Sequence, residues 1–431
     1  MRMLDRLAHT RALDRLAPRP SARVDPPPVV SLGGSSVAFE RRELTIALAP
    51  ERHATHPRAS LLGGCLAPVA LPSGPALARD LVCLGARAAG RAVFLDTETT
   101  GLSGAAMAFV IGLAWVQETE LRCVQWTLSR CGGEAELLAD TLAQLEALGP
   151  APLVSFNGAS FDLPLLRLRA RRYGLSARAL EAEHIDLLHP ARRLQRGRSR
   201  DCKLGTLERD LLGLHRRGDI DSAEIPEVFW SWVQSPNDAR ARARLQAVRD
   251  HNIVDLASLP ALAGWLAEVV REPADLDQAL RVARHLDKLG APDQARMLLA
   301  RWVDAEPRGP SGARWQAAAL ELASHERRAG DRERAAQLWR AAWLADPGCP
   351  DASEAWAKHL EHYTGDFAQA LRVARASRLP CDQRITRLED RLQRTVARAS
   401  APKPRPGPGP ELLTRGEESE SGAGVRYRLL R

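Results

Sequence analysis

The chain has 431 residues, of which 45% are hydrophobic, so it contains enough apolar side chains to bury a sizeable core. Its formal net charge is +8, with 61 Lys+Arg against 53 Asp+Glu, and its isoelectric point is about 9.5. The length excludes a minimal single-core domain and favours several domains, while the basic balance favours polyanionic partners such as nucleic acid.

The cysteine and hydropathy patterns exclude two further classes of protein. The seven cysteines form no Cys-x-x-Cys pair and no zinc-ligand spacing, which argues against a zinc-stabilised or disulfide-linked domain and favours a reducing cytoplasm. No charged-then-apolar signal segment opens the chain, and the longest apolar run, residues 105–116, is too short to cross a bilayer. We therefore expect a cytoplasmic protein without a membrane partner.

Residues 1–85 are expected to form an N-terminal region to which the sequence assigns no function. An amphipathic helix is predicted over residues 3–17, and a proline-rich linker follows it. Residues 35–85 are interrupted by glycine and proline and contain one short β-like segment, at residues 43–48. This composition predicts an irregular region ahead of the first domain.

Residues 90–270 show the order of strands and helices of an α/β domain. Three strands come first, and helices alternate with strands until the chain becomes wholly helical. The predicted elements are a strand from residue 91, strands at 108–117 and 121–129, a helix at 134–147, a strand at 152–156, a helix at 161–173 and a strand at 183–188. This order predicts a mixed sheet flanked by helices.

The first of these strands carries two carboxylates at its end. Asp96 and Glu98 are two residues apart, so they point to the same face of the sheet, and Thr99, Thr100 and Gly101 form a small-residue turn after them. Like charges held this close repel each other, and a divalent cation that prefers oxygen ligands offsets the repulsion. The pattern therefore predicts a site for Mg²⁺ or Mn²⁺.

Two later segments supply partner carboxylates. Residues 152–162 are predicted to form a strand, an Asn-Gly turn and a helix that begins at Asp162, a residue that would alternatively be an ordinary helix N-cap. In residues 248–256, His251 and Asp255 fall on one face of a helix, where Asp255 taken alone would be a solvated surface acid. Together with the Asp-x-Glu strand, these segments predict one acidic site.

In combination, the three segments resemble the exonuclease motifs of the DEDD superfamily, which has a ribonuclease H-like fold. The stretch Asp-Thr-Glu-Thr-Thr-Gly at 96–101 is similar to the first motif of proofreading 3′–5′ exonucleases. Residues 203–208, followed by Leu-Leu-Gly at 211–213 and Ile-Pro-Glu at 225–227, resemble more specifically the bacterial YprB-like group. The resemblance covers residues 90–270.

The resemblance implies a metal-dependent phosphodiester hydrolase with two Mg²⁺ or Mn²⁺ ions. Asp96 would be the central ligand, and Glu98, Asp162 and Asp255 would complete the metal site. Residues of the first two motifs would bind the substrate, namely Thr99, Thr100, Gly101 and Leu102 around the terminal nucleotide and Phe156, Asn157 and Phe161 beside it. The two phenylalanines would either stack on bases or belong to the core.

His251 is the candidate general base, because a neutral imidazole accepts a proton near pH 7. His-type members of the superfamily place the histidine five residues before the last aspartate, and Tyr-type members place a tyrosine four residues before it. His251 is four residues before Asp255, so it combines the tyrosine-type position with a histidine side chain. The identity of the base therefore stays open, with His184 as the competing candidate.

The favoured function is a 3′–5′ exonuclease on single-stranded DNA or RNA. The alternatives are a nuclease of the same chemistry that cuts internally or at structured junctions, and a nuclease-fold scaffold without activity. The complete set of four acids argues against the scaffold, because buried like charges cost stability when no metal is bound. An arginine-rich loop at residues 192–200, followed by Lys203, would either bind phosphate or be solvated.

Residues 275–398 are predicted to be helical and to contain an internal repeat. Gly290, Gly330 and Gly365 each precede an alanine by five residues and an apolar residue by eight. This pattern resembles degenerate tetratricopeptide repeats, with a generic helical bundle as the alternative, and the resemblance implies a groove for a protein partner, a peptide or a nucleic-acid tail. Residues 399–431 are rich in proline, glycine and polar residues and are predicted to be disordered.

Overall fold

The computed structural model describes residues 37–47, 74–87, 90–101, 106–118, 120–216, 218–305 and 312–400. The chain divides into two compact units, the first ending at Ala329 and the second beginning at Gly330. The helix predicted at 3–17, Leu102, and nearly all of the segment predicted to be disordered lie outside the described residues.

The described residues contain the following regular elements. The strands are β1 (Phe39–Ala47), β2 (Val93–Thr99), β3 (Ala108–Gln117), β4 (Glu120–Leu128), β5 (Leu153–Ser155) and β6 (His184–Asp186). The helices of the first unit are α1 (Gly74–Leu84), α2 (Glu134–Ala147), α3 (Asp162–Arg172), α4 (Leu188–Gln195), α5 (Leu204–Leu207), α6 (Ile225–Gln234), α7 (Ala239–Arg271), α8 (Leu276–Lys288), α9 (Pro292–Ala305) and α10 (Gly312–Ala329). Those of the second unit are α11 (Arg332–Ala345), α12 (Pro350–His359), α13 (Phe367–Ala376) and α14 (Asp382–Ser400).

The strands form one mixed sheet in the order β1-β4-β3-β2-β5-β6. β1, β4, β3 and β2 pair as antiparallel neighbours, whereas β5 and β6 continue from β2 in parallel. All residues of β3 except the last are buried, which requires that both faces of the sheet are covered. α7 packs against β2, β3 and β4, and α2 packs against β1, β3 and β4. The predicted mixed sheet flanked by helices is confirmed.

The sheet begins earlier in the chain than the sequence indicates. The β-like segment predicted at 43–48 belongs to β1, which pairs with β4 over its whole length. Four consecutive charged residues at 40–43 hide this edge strand in the hydropathy pattern, since edge strands tolerate charge. α1 also joins the same unit, where the buried Asp80 forms an ion pair with Arg271 of α7 at 2.7 Å. The region in front of residue 90 therefore contributes to the α/β unit.

α7 is the helix that carries the third predicted motif across the sheet. It begins after Asp238, whose side chain caps the helix by accepting the backbone N–H of Ala241 at 2.7 Å. Among the described residues it is the one helix long and apolar enough to cross a membrane, but 83% of its apolar window is buried inside the protein. This burial is that of a core helix, and it places His251 and Asp255 against the sheet.

The repeat glycines of the helical region end helices as predicted. Gly290, Gly330 and Gly365 have φ angles of +75°, +95° and +69°, a left-handed conformation that glycine adopts without strain. The alanines five residues later, Ala295, Ala335 and Ala370, are fully buried. The helical character of this region is confirmed, whereas the tetratricopeptide interpretation stays a prediction.

Candidate active site

Asp96 and Glu98 lie at the end of β2, where the pairing of β2 with β3 becomes irregular. The register shifts between Glu98 and Thr99, and the strand ends at Thr99. A register shift of this kind bends the strand and re-aims its side chains. Glu98 is buried and Asp96 is partly buried, so both carboxylates lie in a poorly solvated environment.

A tight turn after β5 sets the position of Asp162. Asn157 has a φ of +70°, and a Cβ on Gly158 would lie only 2.2 Å from Oγ of Ser155, so the turn needs this Asn-Gly pair. The buried Asp186 fixes the turn by accepting two of its backbone N–H groups, at 2.7 and 3.1 Å. Asp186 was not a predicted site residue. Its role depends on the pairing of β5 with β6, which the local sequence does not show.

The structure brings the four predicted metal ligands together. Burial raises the pKa of Asp96 well above its ordinary value, and the charges of Asp255 and Asp162 raise it further. The pKa of Glu98 is raised in the same way, by burial and then by Asp96. Burial raises the pKa of Asp162 to about 6, although a hydrogen bond from the Thr97 hydroxyl lowers it. The cluster therefore has less positive charge around it than its carboxylates require.

This donor set fits a hard divalent cation. Asp96, Asp162 and Asp255 each use one carboxylate oxygen in a hydrogen bond to a neighbouring side chain, which leaves the second oxygen of each for another ligand. Every donor in the cluster is a carboxylate oxygen, the ligand type that Mg²⁺ and Mn²⁺ prefer. The residues Asp96, Glu98, Asp162 and Asp255 could therefore hold such ions.

Asn252 is a site residue that sequence reasoning missed. It is fully buried on α7, and its Nδ2 donates to Oδ2 of Asp96 at 2.7 Å and to the backbone carbonyl of Asp96 at 3.2 Å. Its Oδ1 accepts a hydrogen bond from Nε2 of Gln125 at 2.7 Å. Asn252 therefore fixes the rotamer of Asp96. The available signal was its place between His251 and Asp255 in the third motif.

Gly112 of β3 provides the space that Asn252 occupies, and we expect Gly112→Ala to damage both the fold and the site. A Cβ on Gly112 would lie 2.4 Å from Oδ1 of Asn252 and 2.5 Å from Cδ1 of Leu256. The substitution should destabilise the protein by about 1–3 kcal/mol in urea unfolding, because α7 has to move away from the sheet. Gly90→Ala is the matched control, since no described residue would lie within 4 Å of a Cβ there. Equal unfolding midpoints for the two variants would contradict this reading.

Arg216 is a second residue that the sequence did not single out. Its guanidinium binds the fully buried Glu208 through Nε at 2.7 Å and Nη2 at 2.5 Å, and Nη2 also donates to Oδ1 of Asp255. Nη1 lies 3.2 Å from Oδ2 of Asp219. Burial alone lowers the pKa of Arg216, but Asp255 and Glu208 raise it overall, so the cation is permanent. Glu208 belongs to the stretch at 203–208, and its partner became visible only in the fold.

Asp219 orients His251. Nδ1 of His251 lies 2.7 Å from Oδ1 of Asp219, and Nε2 lies 3.8 Å from Oδ2 of Asp255. Nη1 of Arg216 is 3.2 Å from the same Nδ1, but an N–H that donates to Asp219 cannot also accept, so the shorter contact decides the tautomer. Burial lowers the pKa of His251, but the charge of Asp255 and the hydrogen bond to Asp219 outweigh it and raise the pKa. In the neutral imidazole the lone pair is therefore on Nε2, the nitrogen on the side of Asp255.

A cavity of about 430 Å³ opens beside the acids and contains most of the predicted substrate residues. Its lining includes Asp96, Thr97, Thr99, Gly101, Ala106, Phe156, Asn157, Ser160, Phe161, Asp162, Pro164, Leu165 and Leu168. Phe161 is 48% exposed, whereas Phe156 is half-buried. The threonine hydroxyls stabilise the turn itself: Thr99 donates to the carbonyl of Gly101 at 2.9 Å, and Thr100 accepts the N–H of Met107 at 3.0 Å.

Two other candidates are held by contacts away from the acidic cluster. His184 contacts Oγ of Ser155 through Nε2 at 2.8 Å, and burial lowers its pKa. In the arginine-rich loop, Arg198 forms a bidentate pair with Asp275, the N-cap residue of α8, at 2.9 and 3.2 Å. The geometry therefore favours His251 over His184 as the proton acceptor, and it gives Arg198 a structural partner.

A second set of possible ligands lies in the helical part of the first unit. Among the described residues, Asp287, Glu321 and His325 each have one potential ligand atom within 4.8 Å of those of the other two. Arginine side chains already offset the charge of this group, since Arg284 pairs with Glu321 at 2.8 Å and Arg328 lies 4.0 Å from Oδ2 of Asp287. The group has less need of a cation than the acids on β2.

Comparisons with known proteins agree with the α/β unit. A model of the RNase_H superfamily matches residues 93–267. The uncharacterized protein YprB of Bacillus subtilis (strain 168) is 29% identical over 293 residues, which cover 66% of this chain and 68% of that protein.

Two solved structures share 13% sequence identity with the chain, and each match covers 72% of it. The first is the family B DNA polymerase of Pyrobaculum calidifontis, with a TM-score of 0.36, and the chain spans about half of it, 51%. The second is the zinc-bound complex of E. coli ExoI with single-stranded DNA, with a TM-score of 0.24 and 99% of that chain covered. Superpositions this loose carry no functional argument, and the assignment depends on the family model: residues 93–267 form a domain of the RNase_H superfamily.

Proposed function

We propose that this protein is a divalent-metal-dependent nuclease of the DEDD type, and that it acts as a 3′–5′ exonuclease on single-stranded DNA or RNA. The observation that carries the proposal is the convergence of Asp96, Glu98, Asp162 and Asp255 in one cluster, where burial and the charges of Asp162 and Asp255 raise the pKa of Asp96 and of Glu98. An exposed aromatic side chain, Phe161, lines the cavity beside them. The polarity of attack is inferred from the resemblance of the motifs to proofreading exonucleases.

The side chains of the site divide the work of phosphodiester hydrolysis. Two Mg²⁺ or Mn²⁺ ions held by the four acids would activate the attacking water and stabilise the leaving alkoxide. Asn252 holds Asp96 in one rotamer, and Thr97 does the same for Asp162. In its neutral form His251 carries its proton on Nδ1, which donates to Asp219, so that Nε2 can accept the proton of the water. Phe161 supports the base of the terminal nucleotide.

Replacing His251 by alanine should slow hydrolysis by about 10²-fold or more and leave metal affinity largely intact. The rate should fall because His251 is the proton acceptor. Metal affinity should persist because His251 is not one of the four carboxylate ligands. The measurement is the rate on a labelled oligonucleotide at saturating Mg²⁺, with a Mg²⁺ titration of each variant. A His251→Ala variant that kept the full rate across neutral pH would show that another group, such as His184, is the base.

The experiment that tests the function is degradation of 5′-labelled single-stranded DNA and RNA with Mg²⁺ or Mn²⁺, beside an Asp96→Ala control. A ladder that shortens from the 3′ end, absent in the control, supports the exonuclease and identifies the preferred sugar. Cleavage of a circular single strand would replace it with an internal cutter of the same chemistry. No cleavage of any of these polymers with either metal would overturn the proposal in favour of a scaffold.

A further inference from the structure

The exposed face of α3 carries an apolar stripe that begins at the acidic site. Phe161 and Leu168 are 48% and 47% exposed, and Pro164 between them is exposed as well. Pro164 and Leu168 are four residues apart and share one face of the helix, and Phe161 is the N-cap residue in front of them. All three line the cavity that contains Asp96 and Asp162. The stripe is therefore continuous with the proposed catalytic centre.

Two exposed arginine side chains follow the stripe at the C-terminal end of α3. Arg171 and Arg172 are exposed, and neither side chain forms a hydrogen bond or ion pair with the part of the chain that the structure describes. The other two arginines of α3, Arg167 and Arg169, are tied to a backbone carbonyl and to a buried carboxylate. Since Leu168 precedes Arg171 and Arg172 by three and four residues, the cations continue the stripe along the helix.

We infer that this row, from Phe161 through Pro164 and Leu168 to Arg171 and Arg172, is a track for single-stranded nucleic acid, an inference that rests on the proposed function. Unpaired bases contact the apolar side chains, and the two arginines bind phosphates upstream of the scissile bond. Eleven residues of helix span about 16 Å, which is room for about four nucleotides at the roughly 3.4 Å spacing of stacked bases. A duplex keeps its base faces stacked and hidden, so the track selects an unpaired end.

Nucleic acid fits this face better than a protein partner does. A row that starts at carboxylates suited to metal ions and ends in two free arginines matches a substrate with apolar bases and regularly spaced phosphates. An apolar protein surface would gain nothing from the two arginines and would cover the entrance to Asp96 and Asp162. The alternative of a second copy of this chain is tested by the oligomeric state.

The test measures binding with the full chain, so that it does not depend on hydrolysis. Fluorescein-labelled single strands of 2, 4, 6 and 10 nucleotides are titrated by anisotropy, with Ca²⁺ in place of Mg²⁺. The affinity of the native protein should rise up to about four nucleotides and then level off. Leu168→Gln should weaken binding of the 10-mer about tenfold, in line with the loss of one base contact. Met297→Gln is the matched control, because Met297 is 66% exposed on α9, outside the row.

The two arginines have a separate signature. Arg171→Gln/Arg172→Gln should reduce the slope of log affinity against log salt by about 1.4, since each phosphate contact on a single strand contributes about 0.7. The track would be overturned by an unchanged slope or by a Leu168→Gln variant that binds as the native protein does. An equal loss of affinity in Met297→Gln would also overturn it. A native dimer that Leu168→Gln converts to a monomer would assign the face to self-association. If both variants hydrolyse the substrate and bind it as the native protein does, the track is wrong and the proposed nuclease activity is unaffected.

Discussion

Asp96→Asn should abolish phosphodiester hydrolysis, by at least about 10³-fold, while making the metal-free protein more stable. Asp96 lies on β2 and interacts with both Asp162 of α3 and Asp255 of α7. Its pKa is raised by burial and by those two charges, so its ionised form is costly when no cation is present. Removing the charge should therefore stabilise the metal-free fold at pH 8, because the asparagine has no ionised form to desolvate.

The sign of the pH dependence follows from the same shifts. Asp162 has an ordinary pKa of 3.8 and a pKa of about 6 in the folded protein, so between these values the unfolded chain loses its proton while the folded chain keeps it. The stability of the metal-free protein should fall as the pH rises from about 4 to 6 and stay lower above that range. Added Mg²⁺ should reverse this loss, because a cation favours the ionised acids.

Thermal unfolding with and without Mg²⁺, at pH 5 and pH 8, checks both expectations. The native protein should gain stability from Mg²⁺ mainly at pH 8, and Asp96→Asn should gain little. His325→Gln is the control, because His325 belongs to the separate group with Asp287 and Glu321. It should respond to Mg²⁺ as the native protein does. An Asp96→Asn variant with a native Mg²⁺ response, or with native hydrolysis, would show that the metals bind elsewhere.

Arg216→Met should destabilise the protein by about 3–5 kcal/mol and also lower the catalytic rate. The stability loss arises because Glu208 is fully buried, and without the guanidinium its charge has no counterion. Burial already raises the pKa of Glu208 even with Arg216 present. The loss of rate arises because Arg216 also holds Asp255 and lies beside Asp219, the residue that orients His251.

Arg169→Met separates the two effects. Arg169 also forms a buried pair, with Glu134, and this pair anchors α3 to α2. The contacts of Arg169 include none of the four site carboxylates. This control should lose a similar amount of stability in urea unfolding but keep the native kcat and KM at a temperature where both variants are folded. Adding Glu208→Gln to Arg216→Met should restore part of the stability without restoring kcat. Equal kcat values for the two single variants would show that Arg216 does not contribute to catalysis.

Local sequence was sufficient for the elements with a strong apolar pattern. The predicted bounds of β3 and α2 coincide with those observed, and those of β4 and α3 differ by one residue at each end. The prediction was incomplete for β1, because its charged residues at 40–43 give no apolar alternation and the β-like segment predicted at 43–48 covers only the second half of the strand. Its position is determined by pairing with a strand much later in the chain, an interaction that no local pattern encodes.

The four acids could be predicted because each lies at a local transition that the sequence displays: the end of a strand, the start of a helix, or one face of a helix. The residues that hold them could not. Asn252 reaches Asp96 only because Gly112 leaves room under α7, and Glu208 meets Arg216 only when the loop after residue 212 folds back. The sequence by itself determined which groups carry the chemistry, because residue type and spacing are local properties. The tertiary structure alone decided how they are oriented and neutralised, because burial and hydrogen bonding depend on partners distant in the chain.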